Sequence, residues 1–309
     1  MGRQGADISS STAEIARLDS ISNRLLNASL ADSSKKQYQR AWNFFEQFCK
    51  ELGFKTEFPI EQKIILRFIS YMFDLHYAYS SICSMVSCIN YFQRMANLPS
   101  LQTLIVQKTL LGVKNLSPAS KGCLPISKQQ LNEVIRKSEW VLSDHFTTVL
   151  FKAMASLAFY ALLRVGEFTY SPHTLKLSDV FMSSTSITIK FKTFKHSKGE
   201  EVVQTIPALK LAEFCPVQLL HKYLRIRGGK EGFLFLKPDG FAPSRKEFLH
   251  WLQCVLIALG WQVQDFNTHA FRAGMATHMA MSGASAEQIK IAGRWSSDAY
   301  KKYIRVNTY

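Results

Sequence analysis

The stretch from Ser186 to Ile206, SITIKFKTFKHSKGEEVVQTI, decides how the whole chain is read. Ile187, Ile189 and Phe191 alternate with Thr188, Lys190 and Lys192, the two-residue period of a strand with one buried face. HSKG then supplies turn chemistry, and EVVQTI reads as the returning strand. The stretch is therefore a hairpin with lysines on its polar face, set in a chain whose other patterned segments carry a helical period. The expected fold class is mainly α with a small β-sheet (α+β).

Working outward toward the N-terminus, an apolar helix is expected over Phe146 to Leu163. Before it, Ser127 and Gln130 have the spacing of a capping box that opens a helix running to about Lys137. Upstream again, KNLSPASKGCLP (Lys114 to Pro125) holds two prolines, a glycine and no apolar repeat, as a connection between independently folding units does. Residues 115–125 are accordingly read as a linker. An all-helical module is expected over 31–114. Tyr38, Trp42, Phe45, Phe48, Cys49 and Leu52 form one apolar stripe, with Asp32 or Ser33 as its cap, and further amphipathic stretches follow at Ile60 to Tyr77, Ser80 to Asn97 and Leu101 to Val113. Residues 1–30, rich in Ser, Ala and Asn, read as a flexible arm or a short helix that orders on a partner. Toward the C-terminus, helical pattern returns at Cys215 to Arg225, Lys246 to Leu259, His269 to Ser282 and Ala286 to Ala292, where Ser285 and Gln288 repeat the capping-box spacing. These complete a second domain over 126–309.

Charge narrows the class of function. In 309 residues, 38 Lys and Arg stand against 23 Asp and Glu, a formal net charge of +15 that suits a polyanionic partner, nucleic acid first, better than a small metabolite. Charge alone also describes a basic but ordinary soluble protein or one that touches acidic membrane surfaces. The six cysteines form no CxxC pair and no Cys/His cluster at zinc spacing, so free thiols and no metal are expected. No charged start precedes an apolar segment, and no window approaches the roughly 18 apolar residues of a membrane span. A soluble, intracellular protein in a reducing compartment is the expectation.

Displacement at a DNA phosphodiester needs an in-line nucleophile, cations on the non-bridging oxygens, and an acid for the departing 5′ oxygen. Arginine suits the second task because its planar fork bonds phosphate bidentately and stays protonated; two arginines and a histidine are able to replace a metal ion. Tyrosine suits the first, as a phenol that forms a covalent phosphotyrosine. The segments ALLRVGE (Ala161 to Glu167), HAFR (His269 to Arg272) and AGRWSSDAYKKYIR (Ala292 to Arg305) supply these residue types. In order and spacing they resemble the signature boxes of the tyrosine recombinase/phage integrase family. The resemblance runs from Lys35 to Arg305, and the GRW form of the last box resembles recombinases of eukaryotic mobile elements of the Crypton and DIRS kind.

The resemblance implies an all-helical core-binding domain followed by a tyrosine-recombinase catalytic domain. Residue by residue, it implies Arg164 as the first catalytic arginine, with Glu167 orienting it, where an isolated RxxE is otherwise a surface salt bridge. His269 and Arg272, at i and i+3, are implied to reach one phosphate from a helix start. Lys192 is implied as the general acid on the hairpin, with Lys195 and Lys198 as rivals nearer the turn. Trp295 keeps the family's separation from His269 but lies eight residues before Tyr303, one fewer than in many relatives, and Arg294 would restore that spacing. Trp295 is the preferred candidate for the box position, hydrogen-bonding the attacked phosphate through its indole nitrogen, with core packing the alternative. Tyr303 is the implied nucleophile, and Tyr300 and Tyr309 are the controls.

The resemblance further implies a metal-independent, cofactor-free site-specific recombinase that acts on double-stranded DNA. Many relatives continue into a tail helix that docks on a neighbouring subunit, whereas this chain ends six residues after Tyr303. A monomer in isolation and a homotetramer only on paired DNA sites are expected. The place of work would be the nucleus for a eukaryotic mobile element and the cytoplasm otherwise. The alternatives are a type IB topoisomerase-like enzyme and a domesticated, catalytically silent DNA-binding protein.

Overall fold

Phe45, Phe48 and Phe68 lie at the centre of the first of two units, with Phe45 and Phe48 each about one ring-width from Phe68, at 5.2 and 5.1 Å between centroids. The computed structural model describes residues 4–118, 122–194, 199–210 and 212–304. The chain divides into Met1–Ser120 and Lys121–Tyr309, a break that falls within the segment 115–125, of which residues 119–121 lie outside the described residues.

Among its described residues the first unit holds five helices: α1 (Gln4–Ala28), α2 (Asp32–Glu51), α3 (Gln62–Asp74), α4 (Tyr79–Met95) and α5 (Leu104–Leu116). Where the sequence suggested an arm, Gln4–Ala28 form one 25-residue helix. Helix α2 buries Ala41, Phe45, Phe48 and Cys49, the expected stripe, but Leu52 falls beyond its end and is 53% exposed. Its N-cap is Ala31 without a side-chain bond, so neither Asp32 nor Ser33 caps it. Asp32 sits one residue inside, in the first turn, where a carboxylate complements the positive end of the helix. Buried Gln93 on α4 is bonded at both ends of its amide: its Oε1 accepts from Ile60 N at 2.9 Å and its Nε2 donates to Pro99 O at 2.8 Å, pinning two loops to one helix.

The second unit is built around α7 (His145–Tyr160), which is buried on every side from Leu150 to Tyr160 and packs against α6 (Lys128–Val141), α9 (Pro216–Arg227) and α11 (Ala270–Met281). A helix apolar all round belongs in a core. Helix α6 opens with the expected capping box, Gln130 N donating to Ser127 Oγ at 3.1 Å and Ser127 N to Gln130 Oε1 at 2.9 Å. Between α7 and α9 come the single-turn helix α8 (Val165–Phe168) and three antiparallel strands in the order β1 (Val180–Met182), β2 (Ser186–Phe191), β3 (Val202–Pro207). Ile187, Ile189 and Phe191 are buried, as the alternation requires, and Phe191 pairs with Val202 across the hairpin. Strand β1 went unread in the sequence because three residues are too few to show a period. Helices α10 (Arg245–Ala258) and α12 (Ala286–Gly293) complete the unit, α12 with its Ser285/Gln288 capping box.

Helix α7 ends three residues before the expected Leu163. Leu162 adopts a left-handed conformation (φ 47°), which swings the chain into Arg164 and leaves the carbonyls at the helix end pointing inward. Such carbonyls have no intrahelical partner and carry the negative end of the helix dipole, so buried cations are their natural partners. That requirement shapes the site.

Candidate active site

Arg272, on the first turn of α11, is 0% exposed, and its Nη1 donates to the carbonyl of Leu162 while its Nη2 donates to that of Gly293. Arg294 lies just past α12, and its Nη1 and Nη2 donate to the carbonyls of Ala161 and Leu162, each at 3.2 Å. Among the described residues the Nε of each arginine finds no hydrogen-bond acceptor. Aromatic faces take that place: the Arg272 guanidinium carbon lies 4.0 Å from the Trp295 ring centre, and that of Arg294 lies 3.8 Å from the Phe191 ring centre.

Glu167 ties this group to Arg164. Its Oε2 accepts from Arg164 N at 2.8 Å and from Arg294 Nη2 at 2.6 Å, and its Oε1 accepts from Arg164 Nη1 at 3.2 Å. With its side chain 2% exposed, Glu167 is no surface salt bridge. Two guanidinium groups thus share one carboxylate while a third, that of Arg272, is bound to backbone carbonyls, and the surplus positive charge has consequences. Burial first, then the charges of Arg164 and Arg294, pull the Arg272 pKa down to about 9, which still leaves it protonated at neutral pH. Arg294 is lowered for the same leading reason, burial. A site with more buried cations than anions is complementary to a phosphate.

Gly293 and Arg294 set the chain's direction after α12. Arg294 adopts φ 55°, ψ 48°, a left-handed C-cap that costs an L-residue about 1 kcal/mol and is offset here by its buried bonds. The turn folds the Trp295 ring back over Gly293 so closely that a Cβ on Gly293 would lie 1.7 Å from Trp295 Cζ3. The segment from Asp298 to Lys302 is then a 3₁₀ turn, in which residues three apart eclipse. Tyr300 and Tyr303 both face Trp295, with ring centroids 6.4 and 5.3 Å away. Tyr300 is 5% exposed and packed, whereas Tyr303 is half-buried.

Arg164, His269, Trp295 and Tyr303 line one open cleft of about 890 Å³, with Phe194, Glu200 and Val202 on the hairpin side and Lys290 on α12. The rings of His269 and Tyr303 are 6.3 Å apart. Arg272 lies beneath, its guanidinium carbon 5.8 Å from the Tyr303 ring centre, covered by the Trp295 and Tyr303 rings and not part of the cleft wall. Arg294 touches the wall, but its side chain is only 1% exposed; Trp295, the preferred candidate for the box position, is the one whose ring faces Tyr303.

Lys192 is not brought to this wall. It is the first residue after β2 rather than part of the strand, and its Nζ lies 2.8 Å from Asp179 Oδ1, a pairing that raises its pKa. Its rivals Lys195 and Lys198, like Tyr309, lie outside the described residues. The sequence reading missed the Asp179 partnership, the inward turn of Arg294, and Glu200 and Lys290 on the wall. A second cavity of about 390 Å³ between the end of α6 and the start of α7 contains a Lys152–Glu139 ion pair and offers no comparable cluster. Among the described residues no helix is long and apolar enough to cross a membrane.

Residues 126–308 match the Phage integrase family. Among solved structures, the chain is similar to the Tn1549 transposon integrase in complex with circular intermediate DNA, at 14% identity over 92% of this chain and 93% of that one, with a TM-score of 0.65. It is similar to the XerH site-specific recombinase bound to a palindromic difH substrate (14% identity, 87% of this chain and 75% of that one, TM-score 0.64). It is similar also to a lambda integrase dimer bound to a COC′ core site (15%, 98% and 82%, TM-score 0.63). At these identities the likeness is one of fold. No curated protein matches the chain significantly.

Proposed function

The chain belongs to the phage integrase family, and on that premise we propose that it is a site-specific recombinase that cuts and rejoins double-stranded DNA in the integration or excision of a mobile element. One observation carries the reading: Arg164, His269, Trp295 and Tyr303, drawn from three separate segments, line a single cleft above the buried Arg272.

Tyr303 is the nucleophile. Its phenolic oxygen attacks the scissile phosphorus, the bond from phosphorus to the 5′ oxygen breaks, and a 3′-phosphotyrosine and a free 5′-hydroxyl result. The phenol gives its proton to water in the open cleft as the new bond forms, and the departing oxygen gains one from Lys192, which leaves Asp179 to deliver it. Arg164 and His269 hold the non-bridging oxygens from the cleft wall. Arg272 adds positive charge from below, at short range in a poorly hydrated setting. Attack by a partner strand's 5′-hydroxyl reverses the step. Similar folds have been solved on DNA, which supports a DNA partner; in this reading the helical first unit contacts the duplex, and the protein is monomeric alone and tetrameric on paired sites.

The test uses DNA carrying the repeats that flank the coding region, nicked beside each candidate linkage so that the released strand diffuses away. A covalent protein–DNA product in EDTA, lost in Tyr303→Phe, is the expected result. Binding without an adduct on any such DNA would instead mark a catalytically silent DNA-binding protein. Relaxation of supercoils without exchange between two sites would mark a topoisomerase.

A further inference from the structure

Arg294 makes four side-chain hydrogen bonds in the interior of the second unit, yet the reaction outlined above gives it no role. It sits 130 residues after Arg164 in sequence, and the two are bound twice. Glu167 accepts from both, and the main-chain carbonyl of Arg294 accepts from Arg164 Nη2 at 3.1 Å. On its other side, Arg294 Nη1 donates to Gln204 Oε1 on β3 at 2.9 Å, and its guanidinium stacks on Phe191 of β2. The carbonyls of Ala161 and Leu162 complete its set.

We propose that Arg294 is a positioning residue that never touches the phosphate: a buried strut that holds the Arg164 fork in register and locks the β2–β3 hairpin to the same wall. The proposal rests on Arg164 being a phosphate ligand. Geometry favours a strut over a second ligand. The side chain is 1% exposed, its two terminal nitrogens point at four protein acceptors, and a phosphate in the cleft meets the Arg164 side chain, which is 19% exposed. Arginine fits this place where lysine does not, because only a planar fork can reach a carboxylate, an amide oxygen and two carbonyls at once. The left-handed turn at Arg294 then has a purpose. It aims this fork inward while sending the next residue, Trp295, to the cleft.

Because Arg294→Met strands the buried Glu167 carboxylate, that variant alone risks failing to fold. The test therefore uses Arg294→Met combined with Glu167→Gln in the full chain. In urea or thermal unfolding the double variant should be more stable than Arg294→Met alone, which shows that the two side chains act as a pair. On the nicked DNA substrate it should bind with near-normal affinity but form the covalent product about 100-fold more slowly, the scale of loss from a misplaced catalytic group. Placed on an Arg164→Lys background, it should slow that reaction by no more than about twofold further, because the group it positions is already gone.

Full multiplication of the two losses overturns the proposal, since it means that Arg294 acts on the phosphate or on stability in general rather than through Arg164. Independent, additive effects of Arg294→Met and Glu167→Gln on unfolding overturn it as well. A wild-type chain that forms no adduct would sink the recombinase reading instead, and the unfolding cycle would still decide whether the strut exists.

Discussion

Lys192 Nζ lies 2.8 Å from Asp179 Oδ1, so the hairpin's proposed acid is held by a carboxylate that is nearly buried. The hydrogen bond to Asp179, reinforced by its charge, raises the lysine's pKa above the ordinary 10.5. A raised pKa makes a weaker acid toward a departing oxygen. In Asp179→Asn the lysine should titrate at lower pH, and the alkaline limb of the cleavage-rate profile should move down with it. A DNA substrate with sulfur in place of the 5′-bridging oxygen needs no proton, so its cleavage should be indifferent to Lys192→Ala. If Lys192→Ala slows both substrates equally, Lys192 is not the acid, and Lys195 or Lys198 takes its place.

Tyr300 and Tyr303 both pack on Trp295, but only Tyr303 lines the cleft. Tyr300→Phe should leave covalent product formation within about threefold of the wild-type rate, because deleting a phenolic oxygen from a packed ring changes little else. Tyr303→Phe should abolish it. Mapping the adduct peptide by mass spectrometry reads the answer directly, and an adduct on Tyr300 would refute the assignment.

Gly293 leaves no room for a side chain beneath the Trp295 ring. Gly293→Ala should displace that ring and with it the cover over Arg272, at a cost of about 1–3 kcal/mol typical of an overpacked core. Urea unfolding measures the loss, and a red-shifted tryptophan emission in the folded state would report the moved indole. Unchanged stability and emission would mean that the ring does not lie on Gly293.

Asp298 bridges Lys290 at 2.7 Å and Lys301 at 2.6 Å, and these bonds lower its pKa from 3.8 to about 2. Its folded value lies below its unfolded one, so the stability it adds is present above about pH 4 and is lost as pH falls toward 2. The side chain is largely exposed, so the effect is small and screened by salt. Acid-unfolding curves of the wild type and Asp298→Asn at low ionic strength should separate above pH 4 and converge toward pH 2. A constant gap at all pH values would mean that the carboxylate's charge is not what matters.

Helices α2, α4, α10, α11 and α12 were legible within a residue or two, and the start of α6 with them, because periodicity and capping are local: Phe45, Phe48 and Cys49 recur at helical spacing, and Ser285 and Gln288 find each other within one turn. Arg164, His269, Arg272, Trp295 and Tyr303 stood out as a candidate set because the boxes that hold them resemble the family's in order and spacing. Helix α1, strand β1 and the end of α7 at Leu162 were not. The first has a weak apolar stripe, the second is too short for a period, and the third depends on a left-handed turn whose inward carbonyls require buried cations.

The amino-acid order by itself therefore determined most of the helical framework and the hairpin, since each of these is specified by neighbours within a turn or a strand pair, and it singled out the candidate site residues by their resemblance to the family's boxes. Only the tertiary structure decided which groups face the cleft and which serve from behind it. Arg294 turns inward, Trp295 outward, Arg272 lies under two rings, and Lys192 rests on Asp179. Those choices are made by contacts between residues as far as 133 apart, where the placement of one buried charge depends on carbonyls and carboxylates that local sequence does not reveal.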